Sequence, residues 1–265
     1  MSPLPLTAPP SRALRIVLKL GGSVVLDPTQ VGAVAGELKS LLAAGHAVTV
    51  VHGGGPQLDQ ALGGLGETVR KVDGLRVTSV EAAGVVERVM DRIGAELAER
   101  LATHAIPTTH LGAAWESFPS TLKDPRLGRV GTCIAFAAPQ PWPDGVAVVT
   151  PVGVDAEGPL NLNADEGACA VAAALRADWL VLGTDVAAVR GASGEGLARL
   201  NPEDVRGLIA SKTAQGGMIP KLGNALQALD AGVGKVLITR IEPGTADALL
   251  AGDPPGTLVE RGAVA

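Results

Sequence analysis

The chain is poor in aromatic residues: it has no tyrosine, two phenylalanines and three tryptophans in 265 positions. Single-strand nucleic-acid binders stack bases on aromatic side chains, and duplex readers carry a basic stripe. Neither is present, since the net charge is −5 and the 22 basic residues form no run, so nucleic acid is not an expected partner. Two cysteines, Cys133 and Cys169, make no C-x-x-C pair, which argues against a dithiol or zinc-ribbon motif and fits a reducing cytoplasmic setting. Four scattered histidines give no metal-ligand spacing, so no protein metal ligand is expected. No apolar run approaches the ~20 residues that cross a bilayer, and no membrane partner is expected. The G-x-x-x-x-G-K-[S/T] loop of P-loop enzymes is also missing. Residues 1–14 open with Pro3, Pro5, Pro9 and Pro10 and lack the apolar segment of a secretory signal; they are expected to form a loose tail.

What the chain has in quantity is glycine, 35 residues, and two glycine clusters follow β-branched runs. The first reads Ile16-Val17-Leu18-Lys19-Leu20-Gly21-Gly22-Ser23, and the second Val48-Thr49-Val50-Val51-His52-Gly53-Gly54-Gly55-Pro56. Glycines at the end of a strand leave backbone N–H groups free to face an anion. Lys19 falls inside the apolar run, where an ammonium is costly unless a negative group meets it. A polyphosphate satisfies all these groups together, which points to phosphoryl transfer.

Strand-like runs over 15–20, 47–52, 147–152, 179–183 and 235–239 alternate with helical stretches over 29–44, 56–62, 79–104, 164–176 and 221–231. In the longest, Val85, Val86, Val89, Ile93, Leu97 and Leu101 recur at helical spacing. The pattern predicts an α/β fold, a mainly parallel sheet covered on both faces, with the ends of the first two strands on one rim. Residues 108–143 break the rhythm and suggest a small antiparallel flap; residues 191–196 read as a turn. The chain divides near residue 178 into two lobes, 15–178 and 179–265, of one structural unit.

Phosphoryl transfer is mostly positioning and electrostatic stabilisation. Lys19 and Lys221, the latter where Gly216 and Gly217 open a helix, supply two cations. Two lysines near one phosphate repel each other, so an acid is needed between them, and Asp165 at the mouth of an alanine-rich helix is the candidate. With an ionised carboxylate as nucleophile no general base is required. Taken residue by residue, other roles remain open: Asn163 or Asp165 as a helix N-cap, Lys221 on a helix surface, Lys19 snorkelling from an edge strand.

In order along the chain, VLKLGGS, VVHGGGPQLD, KVDGLRVT, LNLNADEGACAVAAAL, LGTDVAAV and GGMIPKL resemble the amino-acid kinase family, from about Ile16 onward. Within it, GLRVT with NLNAD and GGMIPK most resembles the branch that phosphorylates N-acetyl-L-glutamate. The resemblance implies a three-layer αβα sandwich of about eight mainly parallel strands, with acyl substrate in the N-terminal lobe and ATP in the C-terminal lobe. It implies Lys19 and Lys221 as transition-state cations organised by Asp165. Gly22, Gly54 and Gly55 would bind the phosphoryl group, the last two also meeting substrate. Arg76 would pair with the substrate α-carboxylate, a fork suited to bidentate recognition, and Asn161 and Asn163 would hydrogen-bond the substrate. Thr184, Asp185, Val186 and Arg190, with Thr213 and Gln215, would line the nucleotide pocket. Mg2+ is implied, held largely by phosphate oxygens.

The product implied is the 5-phosphate of N-acetyl-L-glutamate, in arginine biosynthesis. Sibling activities are kinases acting on carrier-bound aminoadipate, carbamate, aspartate or uridylate, and a non-catalytic effector-binding relative is the remaining alternative. Two stretches depart from the family pattern. Residues 111–116 carry Trp115, expected to reshape the substrate flap, and residues 239–243, Thr-Arg-Ile-Glu-Pro, replace a DGR-like turn. Arginine-inhibited relatives carry an N-terminal helix that joins dimers into rings. The prolines of residues 1–12 forbid such a helix, so a homodimer not inhibited through that ring is expected, with 79–104 either at its interface or packed within the subunit.

Overall fold

A computed structural model describes residues 12–64, 70–72 and 74–262. Among them the chain begins with β1 (Arg15–Leu20), α1 (Gly22–Leu26), α2 (Pro28–Ala43), β2 (Ala47–His52) and α3 (Gly55–Gly64). A short hairpin, β3 (Lys71–Val72) and β4 (Leu75–Arg76), leads to the long helix α4 (Val80–Thr103). Six strands follow: β5 (Thr108–Leu111), β6 (Ser120–Leu122), β7 (Gly131–Cys133), β8 (Val146–Val149), β9 (Val152–Asp155) and β10 (Gly158–Asn161). Helix α5 (Ala164–Ala174) then leads to β11 (Trp179–Gly183), β12 (Val189–Arg190), β13 (Gly196–Leu197) and β14 (Arg199–Leu200). The chain continues through α6 (Pro202–Ala210), α7 (Met218–Asp230), β15 (Lys235–Thr239), α8 (Thr245–Ala251) and β16 (Thr257–Glu260). The tail expected over residues 1–14 falls outside the described residues up to residue 11; Leu14 donates its N–H to His46 Nδ1 at 3.2 Å.

Eight strands form the central sheet in the order β14-β16-β15-β11-β1-β2-β8-β5. From β15 to β5 every pairing is parallel, while β16 runs antiparallel to β15. Strands preceding residue 179 lie on one side of the β1–β11 junction and later ones on the other. The strand order therefore reverses at β1, and the crevice beyond the carboxyl ends of strands at such a reversal is where open α/β sheets bind ligands.

Alternation along the strands builds two cores. Ile16, Leu18 and Leu20 of β1 join Val48, Val50, Val146, Val148 and Val181 on the face covered by α2, α4 and α8. Val17 joins Val51, Ala147, Val149, Leu180 and Leu182 on the face covered by α5, α6 and α7. Side chains two apart on a strand share a face, so Lys19 lies on the Val17 face, toward α5 and α7. That parity places the cation.

The helices start where the sequence offers caps. Asp27 accepts the Thr29 N–H at 2.8 Å ahead of α2, with Pro28 at its first position. Ser79 accepts from Ala82 N at 3.0 Å to open α4, and Asn163 accepts from Asp165 N at 2.8 Å to open α5. Such caps satisfy N–H groups that the helix itself leaves unpaired.

The flap expected over 108–143 is only partly antiparallel. Strands β6 and β7 pair in that way, but β5 joins the central sheet as a parallel edge strand against β8. Ile106, just before it, and Leu111, its last residue, are buried, and burying them against β8 outweighs extending the flap. Residues 191–196 turn between the antiparallel strands β12 and β13.

Candidate active site

Lys19, from the penultimate position of β1, meets Asp165 of the first turn of α5 and Lys221 of the first turns of α7. Lys221 Nζ donates to Asp165 Oδ2 at 2.7 Å, and Lys19 Nζ lies 2.7 Å from Oδ1, an ion pair without the alignment of a hydrogen bond. Asp165 and Lys221 are buried, and the Lys19 side chain is 12% exposed. Burial pushes the Asp165 carboxyl up, but the charges of Lys19 and Lys221 outweigh it and hold the carboxyl below its ordinary value. Lys221 moves down from its ordinary value: burial comes first, Asp165 offsets it, and the charge of Lys19 adds to the fall. One shared anion thus secures a matched pair of ammonium groups that would otherwise repel.

The glycine turns pack against each other as close backbone neighbours. A Cβ on Gly22 would sit 2.8 Å from the Gly55 amide nitrogen and 2.9 Å from Pro56 Cδ, so no larger residue fits without moving backbone. A Cβ on Gly54 would sit 2.5 Å from Met90 Sδ and 2.8 Å from Ile93 Cδ1, both on α4. At Gly55 a Cβ would meet nothing within 4 Å. Gly22 is therefore required by backbone packing, a side chain at Gly54 would displace Met90 and Ile93, and Gly55 borders open space.

Gly22, Gly53, Gly54 and Gly55 line a cavity of about 330 Å³ with Lys19, Arg76, Asn161, Asn163 and Asp165. The expected phosphoryl and acyl residues are thus brought together. Arg76 is buried and tethered: Nη2 donates to the Gly55 carbonyl at 2.9 Å, and Nε donates to Asp59 Oδ1 at 3.1 Å. Asp59 also receives Lys71 Nζ at 2.9 Å. Burial raises the Asp59 carboxyl, yet Arg76 and Lys71 together bring it below its ordinary value. Asn161 Nδ2 donates to Thr78 Oγ1 at 3.0 Å, and that hydroxyl donates to the Arg76 carbonyl at 2.9 Å. Asn163 carries a structural task through its Oδ1, which caps α5.

The expected nucleotide residues divide between two further hollows. Thr184 and Asp185 share one with Lys19, Gly21, Lys221 and Arg240. Val186, Arg190, Thr213 and Gln215 share another with Lys212 and Met218. Lys19 is common to the acyl-side cavity and the first of these. Trp115 lies in a short 3-10 turn, 56% exposed, and is not among the residues lining the acyl-side cavity.

Sequence reasoning missed Asp59, Thr78 and Arg240. Asp59 sits within the VVHGGGPQLD motif and Thr78 ends GLRVT, so each motif held its own signal. Arg240 occupies the departing stretch after β15; its Nε and Nη2 both donate to the Asp185 carbonyl, at 3.1 and 2.5 Å. Below the second glycine turn, buried His52 Nε2 lies 3.1 Å from Thr150 Oγ1, and His110 Nε2 lies 2.9 Å from the same hydroxyl. Burial brings the His52 imidazole down to about 4, keeping it neutral at physiological pH.

Comparison with known proteins identifies the family. Acetylglutamate kinase of Paracoccus denitrificans is 37% identical over 235 residues, covering 84% of this chain and 76% of that protein. The crystal structure of smu.665 from Streptococcus mutans UA159 superposes with a TM-score of 0.76 at 28% identity, covering 94% of this chain and 99% of that one. Carbamate kinase from Giardia lamblia shares the fold at a TM-score of 0.68 and 16% identity, over 94% of this chain and 99% of that one. Residues 14–240 match the sequence pattern of the amino acid kinase family, and with the central sheet, the glycine turns and these relatives in place, the chain belongs to that family.

Proposed function

We propose that the protein transfers the γ-phosphoryl group of ATP to the side-chain carboxylate of N-acetyl-L-glutamate, as a step of arginine biosynthesis. The observation that carries this reading is the Lys19–Asp165–Lys221 cluster, set where two hollows meet. Lys19 borders both, Asp165 the acyl side and Lys221 the other. The curated acetylglutamate kinases at 33–37% identity support this acceptor.

In the reaction a carboxylate oxygen of the acceptor forms a bond to the γ-phosphorus, and the bond from that phosphorus to the β–γ bridging oxygen breaks, releasing ADP. The nucleophile is ionised at neutral pH, so no residue has to remove a proton. Lys19 and Lys221 stabilise the charge spread over the transferring group, and Asp165 fixes them before substrate arrives, so no reorganisation is needed at the moment of transfer. Backbone N–H groups of Gly22, Gly54 and Gly55 receive the phosphoryl oxygens. Arg76 pairs with the α-carboxylate, while Asn161 and Asn163 orient the acceptor. Thr184, Asp185, Val186, Arg190, Thr213 and Gln215 hold the nucleotide.

Both oxygens of Asp165 face lysines, so Asp165 would not ligate an Mg2+; the ion would be held by the nucleotide and would supply charge neutralisation there. Residues 15–178 serve the acceptor and 179–265 the nucleotide. The working form is a cytoplasmic homodimer with α4 at its interface.

The test is hydroxylamine trapping with ATP and Mg2+, offering N-acetylglutamate, glutamate, aspartate and aminoadipate separately. Hydroxamate from N-acetylglutamate alone supports the reading. A stronger signal with another acid moves the acceptor while keeping the phosphoryl site, and no signal with any acid from folded protein refutes N-acetylglutamate as the acceptor and favours a sibling with a different acceptor or a non-catalytic relative.

A further inference from the structure

Arg129 is 5% exposed and belongs to none of the assigned site residues. A buried guanidinium is costly unless its donors are met, and here they are. Nη1 and Nη2 donate to the two oxygens of Asp155 at 2.9 and 2.7 Å, a bidentate fork. Nη2 also donates to the Gly158 carbonyl at 2.8 Å, and Nε donates to the Pro159 carbonyl at 3.3 Å. Glu157, largely exposed, adds a contact to Nη1 at 3.2 Å. These partners lie at the turn and start of the β9–β10 hairpin.

The backbone of Arg129 works at the other end of the same hairpin. Its N–H donates to the Thr78 carbonyl at 2.7 Å, and its carbonyl accepts the Asn161 N–H at 2.9 Å. Gly128 makes this approach possible: its φ is +66°, and a Cβ there would overlap the Thr78 carbonyl oxygen. The next residue, Val130, lines the acyl-side cavity. One residue therefore holds β10 at both ends, its side chain on the first two carbonyls and its backbone on the last amide. Asn161, at that last position, reaches Thr78 and the cavity.

We propose that Arg129 is a positioning residue for the acyl acceptor: with Asp155 it holds β10 so that Asn161 and Thr78 keep the geometry the acceptor needs. This rests on the acceptor reading above. Since sub-ångström placement governs orientation, Arg129→Met and Asp155→Asn should each raise KM for N-acetylglutamate about tenfold or more. KM for ATP should stay within about twofold, because the nucleotide hollows share no residue with this hairpin. Arg129→Lys, lacking the planar fork, should fall between wild type and Arg129→Met. Glu157→Gln should match wild type.

Amide hydrogen exchange supplies a readout independent of turnover: exchange at 158–161 should quicken in Arg129→Met while the central strands stay protected. Unchanged exchange at 158–161 overturns the proposal, whatever the activity. So does an equal rise in both KM values with a matching fall in Tm, the mark of a general structural role. Absence of wild-type turnover on N-acetylglutamate, with exchange quickened as expected, would instead reject the acceptor reading and keep Arg129 as the holder of β10.

Discussion

Replacing Asp165 by asparagine removes the carboxylate that Lys19 and Lys221 share while nearly preserving shape. Each ammonium lies 2.7 Å from a carboxylate oxygen. Unit charges 4 Å apart attract by about 4 kcal/mol at an effective dielectric of 20, so two such attractions act on one carboxylate. Desolvation of buried Asp165 and Lys221 and largely covered Lys19 offsets much of this, and removing one partner from a buried ionic cluster costs about 3–5 kcal/mol. The variant should melt well below wild type. Losing preorganised transition-state charge costs about 10²–10³-fold in kcat, and Asp165→Asn should lose at least the lower figure. Lys221, already held low by burial and by the charge of Lys19, should lose its proton at a lower pH still, moving the alkaline limb of the kcat profile downward. The assay is kcat by hydroxamate formation against pH, with melting followed in parallel. A kcat within about threefold of wild type would refute the idea that the shared carboxylate organises the lysines.

Gly55→Ala should fold and melt like wild type, because its Cβ meets nothing within 4 Å, yet it should lower kcat/KM if the transferring group sits there; unchanged kinetics would remove Gly55 from the site. Gly22→Ala should also lose stability, since its Cβ strikes the Gly55 amide. Arg76→Ala should chiefly raise KM for the acceptor, and an equal rise for ATP in steady-state kinetics would make Arg76 structural. The folded His52 imidazole is depressed from 6.5 to about 4, so the unfolded chain binds the extra proton first as pH falls, and the stability that neutral His52 confers is lost between those values. At 1.36 kcal/mol per pH unit this is about 3 kcal/mol; denaturant melts at pH 7 and pH 4.5 should show a smaller acid loss in His52→Gln than in wild type, and equal losses would reject it.

Legibility in the sequence followed the range of the interactions. Lys19 stood out because a charge inside a β-branched run demands a partner, and strand parity then turned it toward α5 and α7. Asp165 and Lys221 were recognisable at helix starts, but their meeting on one carboxylate joins residues far apart in the chain and follows from strand order. Strands β1, β2, β8, β11 and β15 were readable as apolar runs, although the run over 147–152 passes the end of β8 at Val149. Strand β5, with one buried residue of four, was hidden in the irregular 108–143 stretch; β14 has only two residues, and β16 was not singled out. Helix α6 carried an overlooked signal, the capping box of Asn201 and Asp204. Asp59 lay within a recognised motif and was passed over, whereas Arg129 and Arg240 could not be singled out from pattern alone, because what defines each is a partner brought in by the fold.

Attack of an acceptor carboxylate oxygen on the γ-phosphorus of ATP leaves an isotopic record. The decisive experiment runs the reaction with N-acetylglutamate labelled with 18O in its side-chain carboxylate and unlabelled ATP. Hydroxylamine attacks the acyl carbon of the product and releases phosphate that keeps the bridging oxygen. Carboxylate attack yields phosphate carrying one 18O, seen by mass spectrometry, in an amount equal to the hydroxamate formed. Phosphate without label, formed alongside ADP, would mean that water is the acceptor and would contradict it.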